Sequence, residues 1–194
     1  MSNNNQCYKL FLVVLGGRAE KCHIELHDVR WVVSKSIEDA FPLLRNQWFG
    51  RKQGLHIDSY MEMKFIDGYK VSLVRKEVLM NSPKNKSLSE KYLWFVNYGG
   101  YDPNSLYEMH AFDVIVANSS VEANAIARDR LLCGAFNKHK DDLISISSNI
   151  LLDDCYSIAE SNGWKIKLIK DARSRSQKII PDWYGFLRID KINN

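Results

Sequence analysis

The chain has no apolar run near the roughly 20 residues that a membrane-spanning helix needs. The longest candidate, Leu10–Leu15, is also too short for the core of a secretory leader, and the start of the chain, Met1–Gln6, is polar and uncharged. No export route and no membrane association are expected, and a cytoplasmic location follows. Cysteine is sparse. Cys7, Cys22, Cys133 and Cys155 include no C-x-x-C pair, so the spacing excludes the common cysteine-built zinc and redox motifs, and reduced thiols are the simplest expectation. Charge of one sign is missing too: 27 Lys and Arg stand against 23 Asp and Glu, mixed along the chain, for a net +4. No basic stripe forms, which argues against a nucleic-acid partner. Neither a G-x-G-x-x-G dinucleotide loop nor a Walker A lysine pattern occurs.

What is present is a repeat. Lys9–Gly17, ending in Gly16-Gly17, lies over Tyr92–Gly100, ending in Gly99-Gly100, at an offset of 83 residues. Glu25-Leu26-His27 matches Glu108-Met109-His110 at the same offset, and Trp31–Val33 matches Val114–Val116. Ser36 then aligns with Ser120 and Gly50 with Gly134 at 84, while Asp58 with Asp153 and Gly68–Val74 with Gly163–Ile169 align at 95. This alignment places an insertion near residues 135–150 of the second copy. The implied organisation is a first repeat over 8–79, a linker over 80–90, a second repeat over 91–171, and a tail over 172–194. The tail is basic, then aromatic through Trp183, Tyr184 and Phe186, and is expected to pack on the body of the protein, with a lid or partner-binding role as the alternative.

Within each copy the pattern reads strand, strand, helix, strand, strand. Leu10–Leu15 and Val29–Val33 have the apolar and β-branched character of buried strands, as does Phe112–Val116. Ser36 is the expected N-cap of a helix whose stripe is Ile37, Ala40, Phe41, Leu44 and Trp48, with Pro42 delaying or kinking its start. Ser120 caps the second helix, with a stripe of Val121, Ala125 and Leu132. Ile57–Phe65 and Tyr69–Val74 flank Asp67-Gly68, a hairpin signal, and Asn162-Gly163 repeats it. Asn137–Asp142 reads as a solvated loop. The fold class is α+β: duplicated, mostly antiparallel sheets with helices on one face, related by a pseudo-two-fold axis.

The Gly-Gly, Glu-x-His and Gly-aromatic-Lys pattern resembles the bacterial domain of unknown function 1543. The resemblance covers roughly residues 8–75 and 91–170, implying two tandem copies, and it brings no activity with it. Asp28 becomes Ala111 in the second copy, so any role for Asp28 belongs to one copy.

Residues two apart on a strand share a face, so Glu25 and His27, and likewise Glu108 and His110, can converge on one ligand. A carboxylate beside an imidazole is an acid–base pair, and these four residues are the catalytic candidates. Gly16, Gly17, Gly99 and Gly100 are ligand-binding candidates, because glycine loops let a backbone come close and expose N–H groups. If both loops met at one cleft, two Glu and two His could hold zinc, manganese or iron, although no residue is assigned as a metal ligand. The structural alternative is that Glu and His stiffen the Gly-Gly loop by hydrogen bonding. A binding or scaffold module for a small molecule or protein is the leading function, and a small hydrolase or isomerase using the four residues in a shared pocket is the alternative. Cofactor and oligomeric state are left open.

Overall fold

A computed structural model describes residues 8–75, 91–146, 164–171 and 179–191. The expected linker, Asp153 and the Asn162-Gly163 turn lie outside the described residues. The chain order is β1 (Lys9–Gly17), β2 (Leu26–Ser34), a 3-10 turn (Glu38–Ala40), α1 (Phe41–Gln47), β3 (His56–Glu62), β4 (Phe65–Ile66) and β5 (Tyr69–Arg75). It continues with β6 (Tyr92–Tyr101), β7 (Met109–Ala117), α2 (Ser120–Arg130), β8 (Phe136–Ser145), β9 (Trp164–Lys170) and β10 (Trp183–Arg188). Mostly antiparallel sheets and two short helices among the described residues make this a small α+β fold. Among the described residues, no helix is long and apolar enough to cross a membrane. The described residues fall into two compact units, 8–64 with 180–191, and 65–75 with 91–146, 164–171 and Ile179.

In the first unit, β1 sits inside a four-stranded sheet of order β10-β3-β1-β2, antiparallel at each pairing. Its unbroken apolar sequence suits that central place, since Leu10, Phe11, Leu12 and Val13 are all buried. Phe11, Val13 and Leu15 join Ile37, Ala40, Leu44, Trp48 and Ile189 in one core cluster. The expected helical stripe therefore forms, with one correction. Ser36 Oγ accepts from the Asp39 N–H at 3.2 Å, but the chain first makes the 3-10 turn. The α-helix begins only at Phe41, with Pro42 in its opening turn, where the missing N–H and fixed φ cost nothing. Lys52 ends the helix by donating to the carbonyls of Arg45 and Trp48.

The second unit contains a sheet of order β7-β6-β8 and another of order β4-β5-β9. Asp67 and Gly68 have φ of 48° and 81°, the two consecutive positive values that a type I′ hairpin requires. Asp67 then works beyond the turn. Its Oδ2 accepts from the Val116 N–H at 3.0 Å, and its Oδ1 pairs with Arg130 at 2.9 Å. Arg130 also holds Asp113, at 3.1 Å; burial pushes the Asp113 carboxyl up, with the guanidinium opposing. Segments Tyr69–Val74 and Trp164–Ile169, matched in sequence, are hydrogen-bonded neighbours here, running antiparallel with Tyr69 opposite Lys170.

Two expectations about this unit fail. The cap of α2 is Ser119, whose side chain accepts from the Glu122 N–H, not Ser120. The buried face also falls two residues on from the expected stripe, about 200° around the helix. Ala123 and Ala127 are buried with Val96, Tyr98, Ile115 and Ala117, whereas Val121 is 79% exposed. Asn137–Asp142 is no loop either; it lies within β8, which pairs on one side with β6. A strand at the end of its sheet carries polar side chains towards solvent, and that composition mimics a loop.

Candidate functional site

The Gly-Gly pairs lie within strands β1 and β6, rather than in loops. Gly16 stands between two partners, opposite His27 on β2 and His56 on β3. Gly99 stands between His110 on β7 and His139 on β8. Successive residues of a strand face opposite ways, so the two glycines of each pair do different things. A Cβ on Gly17 would lie 2.9 Å from the Trp48 ring, and one on Gly100 would lie 3.0 Å from the Ala135 Cβ, so the second glycine makes room for the segment that follows each helix. The first glycine faces the other way, under a polar cluster. A Cβ on Gly16 would be 2.4 Å from His56 Nε2 and 2.8 Å from Asp58 Oδ2. On Gly99 it would be 2.5 Å from Glu108 Oε1 and 2.9 Å from His139 Nε2.

Each cluster joins a Glu-x-His from one flanking strand to a His-x-Asp from the other. In the first unit, His56 Nε2 is 3.2 Å from Asp58 Oδ1 and 3.6 Å from Glu25 Oε1, and His27 Nε2 is 3.2 Å from Asp58 Oδ2. In the second, His139 Nε2 is 3.0 Å from Glu108 Oε1 and 3.1 Å from Asp141 Oδ1. His110 reaches Asp141 at 3.2 Å and Glu108 at 3.7 Å. A bulge delivers each Asp. Pairing slips between Val14 and Leu15 in one sheet and between Asn97 and Tyr98 in the other, which leaves Asp58 and Asp141 as the extra residues.

The inner histidines are oriented from behind. His56 Nδ1 donates to the Gly54 carbonyl at 2.8 Å, and His139 Nδ1 donates to the Asn137 carbonyl at 2.9 Å. Gly54 and Asn137 both adopt positive φ, 81° and 47°, which folds each carbonyl back over the following imidazole. A carbonyl only accepts, so Nδ1 must carry the hydrogen. In the neutral ring, Nε2 then presents a lone pair to two carboxylate oxygens. Asp58 Oδ2 and Glu108 Oε1 are buried without a hydrogen-bond partner among the described residues, although imidazole nitrogens lie close by. A proton or a cation in front of Nε2 would offset the charge of the two carboxylates. The carbonyl of Asn137, followed by the charges of Asp141 and Glu108, accordingly raises the His139 pKa. Glu108 likewise pushes the Tyr101 phenol up, and the Tyr101 ring stacks near His139 with centroids 6.0 Å apart. His56 is 1% exposed, with the Phe186 ring of β10 against it at 4.0 Å, whereas the His139 side chain is 45% exposed.

All four candidates from the Glu-x-His motifs lie in these clusters, each beside partners from its own unit. Sequence reasoning missed His56, His139 and Asp141, and set Asp58 against Asp153. The signal was available: Gly54-x-His56-x-Asp58 and Asn137-x-His139-x-Asp141 stand at the offset of 83 that already relates Gly16 to Gly99.

Residues 22–73 match the model of a domain of unknown function, DUF1543. The chain is similar to a protein Il1583 from Idiomarina loihiensis, known from a crystal structure, with 32% identity and a TM-score of 0.65 over 94% of this chain and 98% of that one. No curated protein matches it. The chain therefore belongs to one family with the Idiomarina loihiensis protein, and its residues 22–73 carry the DUF1543 domain.

Proposed function

We propose that the protein is an internally duplicated binding module: two DUF1543-like copies, each with a helix on one face of an antiparallel sheet and a site for a small positively charged ligand on the other. Support for the duplication comes from five equivalent positions at one offset of 83, namely Gly16/Gly99, Glu25/Glu108, His27/His110, His56/His139 and Asp58/Asp141. The equivalent bulges in β3 and β8 add to it. Free thiols at Cys22 and Cys133 suit a reducing, cytoplasmic setting.

The observation that carries the binding role is the crowding of two carboxylates and two imidazoles over a glycine in both units. Among the described residues, the four carboxylates have only the four histidines as ion-pair partners. Like charges gathered without a compensating cation cost stability, and a fold gains nothing from keeping them. Neutralising them tests the idea without knowledge of the ligand. In ligand-free protein, the double variants E25Q/D58N and E108Q/D141N are expected to melt at or above the wild-type temperature. If the clusters instead hold the fold together, each double variant loses on the order of 1–3 kcal/mol, because buried partners are left unpaired.

A further inference from the structure

We propose that each unit binds one divalent transition-metal ion, through Glu25, His27, His56 and Asp58 in the first and Glu108, His110, His139 and Asp141 in the second. The inference rests on reading the clusters as ligand sites and names the ligand.

Four observations converge on a metal. The first is spacing. Donor atoms held ~2.1 Å from a common ion stand ~3.0–3.4 Å apart when they subtend ~90–109° at it. Here Nε2 of His139 lies 3.0 and 3.1 Å from the Glu108 and Asp141 oxygens, and these three donors all fall within 4.8 Å of one another. Nε2 of His56 lies 3.2 Å from Asp58 Oδ1, within that range, and 3.6 Å from Glu25 Oε1, just beyond it, so the first site needs a small inward movement of Glu25 to close on an ion. The second is the support behind the ligands. A metal-ligating histidine donates its other N–H to a carbonyl or carboxylate, which fixes the tautomer and aims the lone pair; His56 does so with Gly54, and His139 with Asn137.

The third is the pair of buried oxygens, Asp58 Oδ2 and Glu108 Oε1, that face imidazole nitrogens, His27 Nε2 at 3.2 Å and His139 Nε2 at 3.0 Å, and accept from no backbone N–H among the described residues. A cation in the middle satisfies them. The fourth is charge. With neutral imidazoles each cluster carries two negative charges, which a divalent ion cancels and a monovalent ion does not. Two imidazoles with two carboxylates form a mixed nitrogen and oxygen set, suited to zinc, iron or manganese rather than to calcium or magnesium, which prefer oxygen alone. His27 and His110, with side chains 53% and 55% exposed, form the solvent side of each site, where a metal would keep room for water or a small molecule.

The test is titration of the full chain, dialysed against chelator and then returned to plain buffer, with zinc chloride and in parallel with manganese chloride, followed calorimetrically. Two ions per chain are expected for at least one of the metals. E25Q/D58N and E108Q/D141N should each retain one, and the combined fourfold variant should bind at least about tenfold more weakly than wild type at both sites. No binding by wild type overturns the proposal, as does wild-type affinity in the fourfold variant, which would mark adventitious binding elsewhere. A single ion lost only in E108Q/D141N overturns it for the first unit. Melting of the same variants separates the two readings. Stable variants with no metal bound by wild type sink the metal alone; metal-free variants that melt well below wild type sink the binding module with it.

Discussion

At the scale of single residues, the first glycine of each pair makes room for its cluster, because the inner histidine and the bulged aspartate both lean over a position with no Cβ. G99A and G16A should nevertheless behave differently. The atoms crowding Gly99 are the tips of Glu108, Asp141 and His139, side chains that all reach partly into solvent. G99A is therefore expected to stay within about 1 kcal/mol of wild type while its site is displaced. The nearest atom to Gly16 belongs to His56, which is buried and held by Gly54 and Phe186. G16A is expected to cost about 1–3 kcal/mol, as overpacking in a filled core does. Urea midpoints of both variants check this, and equal losses would contradict the difference in confinement. Glu25, His27, Glu108 and His110 were legible in the sequence because each follows a conspicuous Gly-Gly at constant spacing. His56 and His139 were not, because each is brought to the glycine by cross-strand register, a relation between distant segments that no local motif encodes.

At the scale of elements, strand and turn chemistry was largely readable. The apolar run of β1, the Ile37–Trp48 stripe and the Asp67-Gly68 hairpin all form as their side chains dictate. The failures have physical causes. A serine pair at 119 and 120 left the cap ambiguous by one residue, and alanines at 123, 125 and 127 gave no apolar stripe strong enough to mark the buried face. β8 hid behind its charges, since a strand paired on one side has no apolar alternation to show. β10 illustrates how a remote element supports a site. Just after it, Asp190 accepts from Arg188 at 2.6 Å and from the Gly54 N–H at 2.9 Å, and Gly54 in turn orients His56. The Arg188 hydrogen bond, followed by that of Gly54, holds the Asp190 carboxyl well below the usual carboxylate range. Its folded-state pKa is thus below that of the unfolded chain, about 3.9. The carboxylate stabilises the fold above that pH, and the contribution is lost as pH falls towards the folded value. The stability gap between wild type and D190N should therefore be widest near neutrality and narrow between about pH 5 and pH 2. A gap that does not change with pH would show that Asp190 acts through packing alone.

At the scale of the whole molecule, the same residue types meet over a glycine in both units. The two surroundings differ: Phe186 covers the inner histidine of one cluster, and Tyr101 stands open beside that of the other. What the clusters share is the set of residue types, the bulged aspartate and the backbone carbonyl behind each inner imidazole. That carbonyl makes the account depend on one proton position per unit. The measurement that tests it most directly is long-range nitrogen–proton NMR of the histidine rings in metal-free protein near pH 8, repeated after adding zinc. The account predicts that His56 and His139 are both Nδ1–H tautomers with bare Nε2, and that zinc moves the Nε2 resonance of each. Finding the hydrogen on Nε2 in both rings, with no response to zinc, would contradict it.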